Sequence, residues 1–261
     1  MKHFKISVAF ILAIVVLSAC NKSNNSNPNP SGGGKLVRIF QGTDPDILND
    51  TVNLITYDQA GRIQNVVDSI NLDTLAGTYD ANGNLASVTG SGAGLNGYSA
   101  SFVYDASNHL TEIDAVVNGE AEQSIFEYTA GVVSKRSYYT NGGSGPVSLC
   151  RYFTYTVSNG NITSMNTYQA DGTLLGTLSA TYGAQANPYS VLCLFNFSGS
   201  LGIDVIAPLE SYFNKNILTG TSASGTVLTS VQNIFNNNQK ISKAIGNDLY
   251  ADVYTWQFFY K

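Results

Sequence analysis

Over residues 52–116 apolar and polar positions interleave in short runs, cut at near-equal intervals by turn-forming residues. Val52-Asn53-Leu54-Ile55-Thr56-Tyr57 and Tyr98-Ser99-Ala100-Ser101-Phe102-Val103-Tyr104 are rich in the β-branched and aromatic residues that suit a pleated surface. Ile63-Gln64-Asn65-Val66-Val67 and Leu110-Thr111-Glu112-Ile113-Asp114-Ala115-Val116 alternate in part, which predicts strands with one buried and one wet face.

The interruptions share one form. Tyr57-Asp58-Gln59-Ala60-Gly61-Arg62-Ile63 is followed by Tyr79-Asp80-Ala81-Asn82-Gly83-Asn84-Leu85, Tyr104-Asp105-Ala106-Ser107-Asn108-His109-Leu110 and Tyr168-Gln169-Ala170-Asp171-Gly172-Thr173-Leu174. Asp and Asn side chains hydrogen-bond the backbone two residues on, and Gly or Asn tolerates positive φ, so each unit predicts a strand reversal. Tyr128-Thr129-Ala130-Gly131-Val132-Val133 is one residue shorter, Tyr155 to Ile162 one longer, and Phe235-Asn236-Asn237-Asn238-Gln239-Lys240-Ile241 keeps the order with Phe, Asn and Gln substituted. The early tyrosines stand 22, 25 and 24 residues apart, the length of two strands and two turns. The prediction is an all-β antiparallel meander of a dozen or more strands, a strongly curved sheet or a half-closed or closed barrel. From Asn187 to Thr221 the repeats stop. There Pro208 predicts a short helix through Phe213, and the segment reads as a plug or lining of the concavity, or as a buried cap over one barrel end.

These units, Tyr57 to Ile63 and Tyr79 to Leu85 above all, resemble the Tyr-Asp repeats of Rhs-type wrapping proteins. Over residues 35–261 the fuller resemblance is to Bacteroidetes-type lipoproteins that couple a lipobox to a porin-like β domain. It implies an envelope β domain with no established catalytic residues. Long toxin-encasing arrays are absent, so a toxin-delivery role does not carry over.

The first residues have the layout of an export signal: basic Lys2 and Lys5, then an apolar run from Ile6 to Leu17 too short to span a bilayer. Leu17-Ser18-Ala19-Cys20 looks like a lipobox, which implies cleavage after residue 19 and acylation of Cys20. Residues 21–34 hold no aliphatic or aromatic side chain, so 20–34 reads as a flexible tether and 35–261 as a single domain. Asn21 in place of Asp favours the outer membrane; the periplasmic and cell-surface sides both stay open.

Without Lys2 and Lys5 the chain has 18 acidic against 11 basic residues, a formal charge of −7, which argues against nucleic acid. Cys150 and Cys193 are an even pair in an oxidising compartment, so a disulfide is possible, but each lies in an apolar stretch where a lone thiol behaves as a small hydrophobe.

Candidate chemistry is sparse. His109, the one histidine left after cleavage, stands where Arg62 and Asn84 stand in their units and reads as a solvated turn residue. Ser91-Gly92 and Ser198-Gly199-Ser200 read as turns, not nucleophile elbows. Asp58, Asp80, Asp105 and Asp171 are turn acids before they are a glycosidase pair. Asp44, Asp46 and Asp50 lack the spacing of a calcium loop. Sixteen tyrosines invite stacking on sugars, yet most fall at strand ends, where covering the sheet is the simpler use. Neither metal nor cofactor is expected. The expected function is a lipid-anchored, non-enzymatic binding or structural module, with a binder of glycans or small apolar ligands as the alternative and a carboxylate hydrolase as the weaker rival.

Overall fold

The computed structural model describes residues 35–42, 51–95, 97–142, 145–196, 208–247 and 253–261. Cys20, the tether, Asp44, Asp46, Asp50, Ser198-Gly199-Ser200 and the middle of the 187–221 segment lie outside the described residues. The strands are β1 (Leu36–Gly42), β2 (Thr51–Tyr57), β3 (Ile63–Asp68), β4 (Asp73–Tyr79), β5 (Leu85–Ser91), β6 (Ser99–Tyr104), β7 (Leu110–Val117) and β8 (Glu120–Thr129). They continue with β9 (Val132–Thr140), β10 (Ser148–Ser158), β11 (Asn161–Gln169), β12 (Leu174–Ala186), β13 (Asn216–Ala223), β14 (Thr226–Phe235), β15 (Ile241–Asn247) and β16 (Val253–Tyr260). Each pairs antiparallel with its sequence neighbours, and β1 pairs with β16, so the meander closes into a barrel. At the seam Ile39 faces Phe258 and Gln41 faces Trp256, and the Lys35 and Lys261 backbones exchange hydrogen bonds of 2.6 and 2.9 Å.

Closure decides between the curved sheet and the barrel, and the alternation shows why closure is favourable. Ile55, Val66, Leu75, Val88, Ile113, Ala244 and Trp256 point into the lumen, each at most 4% exposed. Fully burying a side chain of this size stabilises by roughly 1.5–3 kcal/mol, and only a closed wall buries all of them.

The end of the barrel where β1 begins and β16 ends is called here the seam end. Four of the repeated units turn there, after β2, β4, β6 and β14, with one geometry. The second residue's amide donates to the carbonyl of the sixth: Asp58 to Arg62, Asp80 to Asn84, Asp105 to His109, Asn236 to Lys240, at 2.8–2.9 Å. The fifth residue returns its amide to the second and takes positive φ, as Gly61, Gly83, Asn108 and Gln239 do. The copy at Tyr168 differs. Its turn has the same backbone bonds, but it joins β11 to β12 at the far end, and Asp171, not Gln169, accepts an amide. Tyr168 stacks on Tyr152 at 4.7 Å and is not among the side chains packed on the core. The short and long copies use another turn. Ala130-Gly131 and Asn159-Gly160 have positive φ at both residues, the two-residue hairpin loop whose twist matches that of strands.

Candidate functional site

The insertion between β12 and β13 enters the lumen from the seam end. Its first part forms α1 (Leu192–Phe195), whose four side chains are all buried, and its last part a 3-10 turn, Leu209–Phe213, preceded by Pro208. The expected helix is therefore one residue later and tighter, with Pro208 just outside it. Phe195 lies against Gly77 of β4, where a β-carbon would come within 2.5 Å of the Phe195 ring. Tyr189 packs on Phe258 at 5.7 Å and Phe213 on Phe126 at 5.1 Å. Asparagines tie the neck: Asn187 Nδ2 donates to the Ser211 carbonyl at 2.7 Å, and Asn214 Oδ1 accepts from the Ile162 amide at 2.7 Å.

Tyrosines ring this plug. Tyr57, Tyr79, Tyr128 and Tyr182 donate their hydroxyls to the carbonyls of Leu36, Ile63, Leu110 and Ile162 at 2.6–2.7 Å. Leu36 opens β1 and the other acceptors each close a repeated unit, so Tyr79 and Tyr128 staple their turns to the turn before. Burial pushes the Tyr57 phenol up to about 12 and the others higher, so all stay protonated donors. Two tyrosines leave this pattern for the plug. Tyr104 pairs with Tyr212, and Tyr155 donates to Glu210 Oε1 at 3.3 Å. Glu210 Oε1 also accepts from Arg136 Nη1 at 3.2 Å, and Arg136 Nε is held by Ser124 Oγ at 3.0 Å. An acid from the plug is thus clamped to the barrel wall.

The expected site residues take structural positions. His109 is half-buried, not freely solvated: it stacks on Tyr128 at 4.5 Å with Nδ1 at 3.0 Å from Asp105. Lys35, Arg62 and Lys240 occupy the equivalent place over Tyr57, Tyr79 and Tyr260, at 4.8, 4.4 and 4.8 Å. This cover over the next tyrosine was readable in the sequence as a cation or planar side chain at the sixth place of the unit. The disulfide is not formed: Cys150 is exposed on β10, while Cys193 is buried in α1 with its thiol near the Ser190 carbonyl. Burial raises the Cys193 thiol well above its ordinary value, so it is inert. Among the described residues no cluster of His, Cys, Asp and Glu could hold a metal. Glu112 and Asp114 do form an acid pair bridged by Gln123 Nε2 at 2.8 and 2.9 Å. Burial and then Asp114 raise the Glu112 carboxyl, but the pair lies on the outer wall and not in a cleft.

The turn acids make stability depend on pH. Amides of Arg62, His109 and Thr173 lower the carboxyls of Asp58, Asp105 and Asp171. A carboxyl lowered by folding contributes stability above its unfolded value, near 4, and loses it as pH falls through the folded value. The denaturation midpoint should therefore decline below about pH 4. Asn236 already accepts two amides in its own turn, at 2.9 and 3.1 Å. Hence the double variant Asp58→Asn, Asp105→Asn should keep the fold and show a shallower decline. An equal slope in both proteins would assign the acid sensitivity elsewhere.

Solved structures share this barrel. A porin-like protein from Bacteroides uniformis matches with a TM-score of 0.54 and 12% identity, over 88% of this chain and 98% of that one. A porin-like protein from Bacteroides vulgatus matches at 0.55 and 9%, over 87% and 99%. The likeness is one of fold. No protein-family model and no curated protein sequence matches the chain.

The polarity of the wall departs from that of a membrane channel. Cross-strand polar pairs mark the outside: Asn65 with Thr56, Thr78 with Ser87, Lys135 with Glu127, Thr177 with Asn166. A spanning barrel carries an apolar band outside and polar side chains within. Here the buried apolar side chains are within, and those on the outer face, such as Leu54, Val103 and Val116, stand among polar neighbours.

Proposed function

We propose that this chain is a lipid-anchored, non-enzymatic barrel of the bacterial outer envelope that stands beside the membrane as a binding or structural module. The observation that carries the reading is the inverted polarity: an apolar, plugged lumen inside a polar wall suits a barrel in water. Among the described residues no helix is long and apolar enough to cross a membrane, and a barrel standing beside the membrane needs a device that attaches it. The Leu17-Ser18-Ala19-Cys20 stretch supplies one, and the 20–34 tether would join it to Lys35 at the seam end. A flexible chain of that length reaches roughly 20 Å. The porin-like neighbours support an outer-membrane association, and the recurrence of one turn geometry at Tyr57, Tyr79 and Tyr104 supports the resemblance to Tyr-Asp repeats.

The test exchanges residues 1–20 for an ordinary cleavable secretory signal. The native chain should fractionate with the outer membrane and carry the mass of an acylated Cys20, whereas the exchanged chain should be folded and soluble in the periplasm. A folded barrel that stays in the membrane after the exchange would overturn the reading.

A further inference from the structure

Beside the plug the lumen keeps a cavity of about 220 Å³ between β11, β12, β13, β14 and the 3-10 turn. Its walls are Ile162, Met165, Leu178 and Leu218, and Glu210 lines it from the plug. Thr221 and Thr229 also line it with their hydroxyls bonded to each other at 2.8 Å, and Ser164 and Asn214 add polar atoms to the lining. Glu210 is different. Its Oε1 is occupied by Arg136 and Tyr155, which fix the carboxylate in place, while Oε2 makes no hydrogen bond among the described residues although the side chain is only 21% exposed. That oxygen keeps some contact with solvent, and a donor entering the cavity meets a carboxylate already held in place. Toward the far end of the same strands, Leu174 and Leu175 of β12 and Val227 of β14 are 53, 54 and 64% exposed.

We infer that this cavity binds a small amphiphile, an alkyl chain or single ring carrying one ammonium or hydroxyl donor, with the donor on Glu210 Oε2 and the apolar body against Met165, Leu178 and Leu218. The size fits, since an apolar cavity of roughly 150 Å³ already holds benzene. An acid-headed amphiphile is rejected, because its carboxylate would face that of Glu210. The inference rests on the reading of the barrel as a binding module but not on its anchor, so fractionation and ligand titration fail independently.

Met165 is the one methionine besides Met1, so a methyl-labelled methionine reports on the cavity without ambiguity. The full chain is titrated with n-octylamine, n-octanol and n-octanoate while the Met165 methyl resonance is followed. Saturable binding is expected in the order octylamine, octanol, octanoate, with octanoate at least tenfold weaker than octylamine. Glu210→Gln should weaken octylamine tenfold or more and leave octanol nearly unchanged. Because that variant also touches the clamp, Ala180→Trp serves as a second one: it fills the cavity, spares Arg136, Tyr155 and Glu210, and should abolish binding of all three. Absence of saturable shifts, equal affinity for all three headgroups, or undiminished binding by Ala180→Trp would each overturn the inference.

Discussion

Phe195→Ala is expected to lower the stability of the barrel by about 3–5 kcal/mol, the range for deleting a fully buried aromatic ring. Phe195 is 0% exposed, and its neighbours Leu192 and Leu194 are nearly as buried, so no mobile surface is available to collapse into the void. Equilibrium denaturation measures the loss. The opposing wall offers a sharper version. Gly77→Ala puts a carbon within 2.5 Å of the Phe195 ring in the middle of β4, and overpacking of that kind costs about 1–3 kcal/mol. Combined with Phe195→Leu, which withdraws the ring edge, the same Gly77→Ala change should cost clearly less than alone, since contacting sites are not additive. Additive losses, or a Phe195→Ala cost below about 1 kcal/mol, would mean that the plug rests in the lumen without being part of the core.

Placing a lysine on either face of the wall gives the second large effect. Ile113→Lys puts an unpaired ammonium where the native side chain is 0% exposed. The penalty for such a charge is several kcal/mol, comparable with the whole stability of a domain, so this variant should not fold. Leu54→Lys changes a side chain already 39% exposed on the outer face, and should stay within about 0.5 kcal/mol of the native protein in detergent-free buffer. In a membrane-spanning barrel the outward lysine would be the damaging one, by about 2–4 kcal/mol at mid-depth. A folded Ile113→Lys protein together with a collapsed Leu54→Lys protein would reverse the assignment of inside and outside.

Much of this architecture is visible in the sequence because its causes are local. An Asp or Asn that accepts amides within its own turn writes itself as a spacing, and even Phe235 to Ile241, with three of its marker residues replaced, folds as that spacing predicts. The Tyr168 unit reverses the chain as expected but at the other end of the barrel, and the cause is equally plain. Turn chemistry is the same at both ends of a barrel, and only the count of strands between turns tells which end is reached. The closure of β1 on β16 and the Glu210–Arg136–Tyr155 clamp were not legible. They join residues 74 and 55 positions apart, or the two ends of the domain, and no periodicity encodes such a contact. In the sequence Glu210 is one polar residue within an irregular stretch. What distinguishes it is the wall it is held against.

The seam has a consequence for how the molecule assembles. Every strand pairing but the one between β1 and β16 joins neighbours in sequence, so hairpins can form one after another as the polypeptide emerges, each closing a short loop except β12 with β13, which spans the plug. The last pairing waits for Val253–Tyr260, and until then β1 and the newest strand both expose unpaired backbone, the arrangement that invites pairing with other chains. The final eight-residue strand therefore acts as the latch: a polypeptide stopped before it would have nearly every local interaction of the finished protein and still present two sticky edges.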